Sequence, residues 1–581
     1  MSGADSPAVA AAARPVRLRV PPAAAALALY CLVAFLDFGL RLILTPGSQY
    51  LGVFADPQIP IWSFAWWPHA IANGENPFVT HAVWAPVGVN LAWVNAVPVL
   101  ALLFAPLTLL VGAVVSFNVA ALLLPAVSAW GAYLLCHHLT RRFWPSLVGG
   151  YLYGFSSYVL GHVLGQPQLS GVFVAPLLAL VVYRGIDGSL SRRRVALFTG
   201  GLVAVELYLS MEIAFTITVS LLLGLLLGWI VSRAARGAIR SLLPTLVGGY
   251  LLAALLAAPV LYYALTAVRI AGFQPPNQFV SDLANLVVPT HLELSGAGWS
   301  GATTARFPGN NTEQGSYLGV PLLALIALFA WRSWRTPAAR FLLGAAALAT
   351  YISLGPELTV DGKRLFPLPT PFGHNTFDVP GIGSKFVPLL DNTLPDRFAA
   401  YTALAVCVMA ALWLAARPAG SVGGWLLAGL AVITLVPNPA AGVWATTYAV
   451  PSFFTASVYR SCLAPGEIVL PQPMSGQFTL WQVADDFRFR LAGGRLQTSP
   501  PSPFLHPGGT AQISVGYPPV RNQTQLLRDY IARWRIGAII LDKRQAAIWS
   551  PSLDRIATPE SVGGVDLYRL GAASGACPAS P

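Results

Sequence analysis

Apolar runs of about 20 residues, separated by polar connectors, fill the chain as far as residue 441. Each is long enough, at about 1.5 Å rise per residue, to cross a hydrocarbon core of about 30 Å. The windows 22–44, 117–138, 145–161, 169–184, 196–212, 213–232, 241–265, 317–333, 339–355, 398–416 and 424–441 are the expected spans, eleven in all. A further window, 95–116, contains Pro98 and Pro106. It would break the parity of the count if it crossed, so it is expected to be re-entrant or interfacial, with a twelfth crossing as the alternative. The pattern predicts a polytopic α-helical membrane protein of about 11 to 12 transmembrane helices.

Three connectors are long: 45–94, 266–316 and 356–397. Loops of this length between short-looped spans usually carry function. The first contains no Lys or Arg, but holds Trp62, Trp66, Trp67, Trp84 and Trp93, which suit helices lying in the membrane interface. Beyond 441 the composition changes, and 442–581 reads as a small soluble α/β domain. Strands are expected at 467–470, 536–541 and 565–570, with an amphipathic helix over 526–534.

Composition agrees with a membrane solvent: 55% hydrophobic residues, 10% charged and a mean hydropathy of +0.62. The net charge of +12 does not point to nucleic acid, because the arginines sit between apolar runs. Arg14, Arg17 and Arg19 precede the first run; Arg141, Arg142, Arg184, Arg192 to Arg194, Arg233, Arg236, Arg240, Arg332, Arg335, Arg340 and Arg417 follow in short loops. This is the positive-inside signature. It predicts a cytoplasmic N-terminal tail (1–21), a membrane domain (22–441) in the plasma membrane and an extracytoplasmic C-terminal domain; Asp37 and Arg41 in the distal half of the first span, with no small-x-small cleavage site after it, mark that span as an uncleaved anchor. Cys31, Cys136 and Cys407 fall in apolar runs and read as core residues. Cys462 and Cys577 bracket the soluble domain on the side expected to be oxidising, and are expected to form a disulfide.

Candidate chemistry gathers at the outer ends of the spans. Asp56, followed by Pro57, reads by local sequence first as a helix N-cap with Pro at the first helical position; a carboxylate fixed there can also serve as a general base, and the two roles are compatible. His162, Gln166 and Gln168 form a polar cluster on the same side. Glu206 and Glu212 are acids within or at the end of a span, where an unpaired carboxylate is costly. Asp37 and Arg41, spaced i, i+4, are expected to satisfy each other. Arg397 stands at an outer boundary against the positive-inside trend, with Lys385 twelve residues earlier. Its fork suits a lipid phosphate, the alternative being an arginine paired with Asp396. Glu313 lies at the mouth of the eighth span. No Walker A loop, dinucleotide fingerprint, H-E-x-x-H or C-x-x-C is present, so energy must come from an activated membrane-borne substrate or a gradient.

The order of these features resembles the C-type (GT-C) membrane glycosyltransferase superfamily, and more closely a group of uncharacterised bacterial GT-C-like proteins. The resemblance rests on Asp56 through Asn76-Pro77-Phe78 to Trp84-Ala85-Pro86-Val87-Gly88, Phe117-Asn118 to Arg142, Gly154-Phe155-Ser156-Ser157-Tyr158 to Gln168, Tyr317-Leu318-Gly319, Ser353-Leu354-Gly355-Pro356 and Pro395-Asp396-Arg397-Phe398. It implies transfer of a sugar from a polyprenyl-phosphate donor to an envelope glycan, lipid or protein acceptor at the outer face. Asp56 is then the catalytic acid of the first outer loop. His162, Gln166, Gln168, Glu212 and Glu313 would line the substrate site, and Arg397 and Lys385 would hold the leaving phosphate. Many members carry a second acid in the next outer loop, where this chain has His162, Gln166 and Gln168, so no metal is carried over. The alternatives are a lipid-linked sugar flippase and a non-catalytic scaffold of envelope polysaccharide assembly.

Overall fold

The computed structural model describes residues 21–45, 47–53, 56–266, 278–369, 393–418, 421–474, 477–494, 496, 500–505, 512–513, 522–571 and 577. Arg14, Arg17, Arg19 and Lys385 lie outside them. Six helical runs are long and apolar enough to cross a membrane by length and composition: Pro22–Ile43, Ala113–Thr140, Pro167–Ile186, Met211–Val231, Arg233–Leu256 and Pro395–Ala415. Val320–Ser333 and Val422–Thr434 are apolar but shorter. The helix Ala113–Thr140 is the hub of the bundle. Its buried Ala120, Ala121, Ala129 and Ala132 let neighbouring backbones come close, the usual device where lipid removes the hydrophobic incentive to pack.

The window 145–161 is not one helix. It breaks at Gly154-Phe155-Ser156, and the Ser156 hydroxyl caps a second, short helix, Ser157–His162, by accepting from Val159 N. The window 95–116 holds two short helices, Pro98–Leu103 and Ala105–Val111, neither able to cross alone, before the hub helix begins at Ala113. Asp37 and Arg41 do not pair. The chain makes a π-helical turn over Phe35–Gly39, which shifts the i, i+4 register. Arg41 donates to Pro439 O at 3.2 Å, and Asp37 Oδ2 is buried without a partner among the described residues.

The C-terminal region contains a five-stranded mixed sheet in the order Pro559–Val562, Val565–Arg569, Ala538–Asp542, Ile468–Gln472, Arg490–Leu491. The first two pairings are antiparallel and the last two parallel. Three strands fall within two residues of their expected places; the short Arg490–Leu491 and the proline-led Pro559–Val562 lack a sequence signal strong enough to find. The helix preceding Ala538–Asp542 is Gln523–Trp534. Cys462 and Cys577 are joined, with Cα atoms 4.8 Å apart.

Four of the five tryptophans of the first loop are buried within the protein. Trp62, Trp66, Trp67 and Trp84 are all at most 3% exposed, and Trp93 alone of the five is open, at 45%. Trp62, Trp66 and Trp84 fill the seam between the loop and the C-terminal region, while Trp67 packs edge-on against Phe78 of the loop itself. Trp62 Nε1 donates to Gln482 Oε1 at 2.8 Å, Phe487 packs edge-on against Trp62 and Trp66, and Trp84 packs against Phe504. The backbone of residues 82–85 also bonds along the sheet edge, through Leu491 N to Ala82 O and Ala85 N to Leu491 O. The loop thus covers an edge that would otherwise stay unpaired. A cationless, tryptophan-rich sequence suits this buried seam as well as it suits lipid headgroups.

Candidate active site

Asp56 is placed by backbone contacts on both sides. Upstream, the strand Gln49–Leu51 pairs with Ala445–Thr447 and is clamped by Asn118, which accepts from Leu51 N at 2.8 Å and donates to Gln49 O at 2.9 Å. Val53 N then donates to Leu164 O at 2.9 Å. Downstream, the helix Gln58–Ala72 begins with Pro57 in the cap position and no side-chain cap. The N-cap expected of Asp56 is therefore not made, and its carboxylate is exposed. Gln166 Nε2 donates to Asp56 Oδ2 at 3.2 Å. Gly165, at φ +138°, lets Pro57 come so near that a Cβ there would lie 2.4 Å from Pro57 Cγ, so the two loops lock at this point.

Behind Gln166 lies a buried ionic centre. Gln166 N donates to His162 O at 2.9 Å, tying Asp56's partner to the helix that ends at His162. His162 is fully buried, its ring centroid 4.3 Å from that of Tyr158. Its Nδ1 lies 2.7 Å from Tyr158 O and its Nε2 2.9 Å from Arg397 Nη1. A carbonyl can only accept and a guanidinium can only donate, so the proton is assigned to Nδ1 and the Nε2 lone pair faces the arginine. Glu313 comes from the loop 310–313, folded by Asn310 O accepting from Glu313 N at 2.9 Å. The approach is close, since a Cβ on Gly161 would meet Thr312 O at 2.7 Å. Asp396 and Arg397 stand on the 3₁₀ turn Pro395–Phe398 that leads into the helix Ala399–Ala415. Glu212 sits in the first turn of Met211–Val231, after the Ser210 cap, where the helix dipole favours an acid.

Arg397 joins these elements while only 3% exposed. Nε donates to Glu212 Oε1 at 3.2 Å, Nη1 to Asp396 Oδ2 at 3.1 Å and to Glu313 Oε2, and Nη2 to Glu313 Oε1 at 3.1 Å. All three guanidinium nitrogens are thus engaged by carboxylates of this centre, and the pairing with Asp396, the alternative to a fork open to phosphate, is among those contacts. Burial alone would raise the Glu313 carboxyl, but the Arg397 guanidinium beside it holds it well below the usual carboxylate range.

The remaining candidates divide. Gln168 is buried at 4% exposure, and its Oε1 has no partner among the described residues. Glu206 is fully buried with both carboxylate oxygens unpartnered among the described residues, and does not join the centre. Lys385 lies outside the described residues. Sequence reasoning missed Glu293, which is fully buried and accepts from Thr290 N at 2.9 Å, Thr290 Oγ1 at 2.6 Å and Ser157 Oγ, so it holds the second long loop to the helix carrying His162. It missed Asp282 as well, whose carboxylate accepts from Asp361 N at 2.9 Å and Gly362 N at 2.8 Å and pins the third loop's hairpin. Acids in Asn- and Gly-rich loops carry no periodic signal, and only their burial sets them apart.

No curated protein matches the sequence. Among solved structures, the chain is similar to the arabinofuranosyltransferase AftD from Mycobacteria, with a TM-score of 0.54 and 14% identity over 95% of this chain and 40% of that one. It is similar too to the Archaeoglobus fulgidus oligosaccharyltransferase in the apo form, with a TM-score of 0.51 and 13% identity over 95% of this chain and 75% of that one. The same enzyme in complex with Zn and sulfate gives a TM-score of 0.50 at 12% identity, over 91% and 69%. The chain therefore spans less than half the length of AftD, and what the likeness shows is the fold, that of the GT-C membrane glycosyltransferases. Residues 25–379 match the family described as Domain of unknown function (DUF6311), and the chain is a member of that family with a GT-C fold.

Proposed function

We propose that this protein transfers a sugar from a polyprenyl-phosphate-linked donor to an envelope glycan, lipid or protein acceptor at the outer face of the inner membrane. The observation that carries the reading is the exposed carboxylate of Asp56, fastened through Gln166 to a buried ionic centre at one end of a GT-C bundle. Asp56 takes the proton of the acceptor hydroxyl as its oxygen bonds to the anomeric carbon. The bond from that carbon to the phosphate oxygen breaks, and its electron pair leaves with the lipid phosphate. His162, Glu313, Asp396, Arg397 and Glu212 are positioning residues, which set the two loops that frame Asp56. Gln166 orients the base. The absence of a Walker A loop fits this economy, because the lipid-phosphate donor is already activated.

The same reading places 45–94, 266–316, 356–397 and the C-terminal domain 442–581 outside, with eleven crossings; a twelfth at 95–116 would turn 266–316, 356–397 and 442–581 inward. Labelling of single-cysteine variants at Ser295 and Ser502 from outside intact cells tests it: both react if the topology holds, and one silent site breaks the parity. Incubation of the purified protein with polyprenyl-phosphate sugars tests the chemistry, with Asp56→Asn as control. A second reading, a lipid-linked sugar flippase, is favoured by one observation, the buried and unpaired Glu206. Loss of translocation in liposomes on Glu206→Gln, without any sugar transfer by the parent protein, would select it.

A further inference from the structure

A ring nitrogen of His162, a carboxylate oxygen of Glu313 and one of Asp396 lie within 4.8 Å of one another, a donor set that fits a first-row divalent cation. Nδ1 of His162 is held by the Tyr158 carbonyl at 2.7 Å, the same arrangement that fixes the tautomer of a metal-binding histidine. A similar fold has been solved in complex with Zn. The point these three atoms converge on is nevertheless taken. Arg397 Nη1 lies 2.9 Å from His162 Nε2 and 3.1 Å from Asp396 Oδ2, and donates to Glu313 Oε2. An ion ligated by nitrogen and oxygen at about 2.0–2.2 Å would have to occupy this same space.

Withdrawal of the arginine is opposed by two further anchors, Glu212 on Nε at 3.2 Å and Glu313 Oε1 on Nη2 at 3.1 Å. A buried pair that loses one partner leaves the other charge uncompensated. We propose that Arg397 is the resident cation of this centre, standing where a divalent ion would sit, and that the His162–Glu313–Asp396 set binds such an ion only when the guanidinium is removed. The inference concerns what fills the centre and does not depend on the reaction proposed for Asp56.

The test uses the full-length protein in detergent with Co²⁺ and Zn²⁺ as probes, read by metal content after dialysis and by thermal melting. The wild type is expected to hold no ion that His162→Gln removes, and to melt alike with Zn²⁺ or with a chelator. Arg397→Ala is expected to take up one equivalent of Co²⁺, to melt higher with Zn²⁺ than without, and to lose both effects on adding His162→Gln. Stoichiometric metal in the wild type that His162→Gln abolishes overturns the proposal. So does a folded Arg397→Ala protein that binds nothing. If Arg397→Ala folds only when Zn²⁺ is supplied, that dependence supports it. If it does not fold at all, Arg397→Gln takes its place in the same measurements, and its failure to take up Co²⁺ likewise overturns the proposal.

Discussion

Arg397 bonds three acids and a histidine drawn from four segments, its own turn included. Arg397→Met is expected to destabilise the membrane region by about 3–5 kcal/mol, measured by chemical or thermal unfolding in detergent, since it leaves buried carboxylates without a counter-charge. The Glu313 carboxyl is held low by the same arginine, and a depressed acid contributes stability that is present above its unfolded value near 4.3 and lost as pH falls through the folded value. The cost of Glu313→Gln should therefore be the same at about pH 8 and about pH 5, and should shrink only in stronger acid. Asp485, in the C-terminal region, behaves oppositely: burial raises its carboxyl to about 8. Its contribution is full below the unfolded value near 3.9 and is lost as pH rises through about 8. Asp485→Asn should thus raise the melting temperature by much more at about pH 9 than at about pH 5, and leave it nearly unchanged only at about pH 3. Equal effects at the first two values would contradict the buried, protonated state.

Among elements, the short helix Ser157–His162 and the loop 310–313 show how narrow the tolerances are. Gly161→Ala places a methyl 2.7 Å from Thr312 O, which must move Glu313 away from His162. A loss of about 1–3 kcal/mol is expected, as for other overpacked sites, together with reduced activity and an intact helical spectrum. This part of the site was only half legible in the sequence. His162, Glu212, Glu313 and Arg397 announce themselves as polar groups at the ends of apolar runs, where any charge is conspicuous. What each one binds was hidden, because contacts between residues 162, 313 and 397 depend on how three loops fold back over the bundle. Local pattern could not distinguish an arginine open to phosphate from one consumed by carboxylates. The π-turn at Phe35–Gly39 is likewise invisible to an i, i+4 argument, as is the break at Gly154-Phe155-Ser156 inside an apolar window.

At the scale of the molecule, apolar patterning gives the helical bundle and the composition change gives the start of the C-terminal region. Neither reveals that the first loop and the C-terminal sheet share a core through Trp62, Trp84, Gln482 and Phe504. Periodicity reports which residues are buried, not against what. The bridge between Cys462 and Cys577, 115 residues apart, closes most of this region. Replacing both with serine is expected to cost about 2–5 kcal/mol, seen as faster hydrogen exchange in the sheet, with exchange in the hub helix unchanged. The central claim is that a GT-C fold in this family uses Asp56 to transfer a lipid-linked sugar. Its most direct test is turnover of a panel of polyprenyl-phosphate sugars by purified protein, wild type beside Asp56→Asn. Release of the lipid phosphate by the wild type is expected, lowered about 10²- to 10⁴-fold by the substitution with the melting temperature unchanged. Turnover that survives Asp56→Asn, or a wild type inert toward every such donor, would contradict that claim.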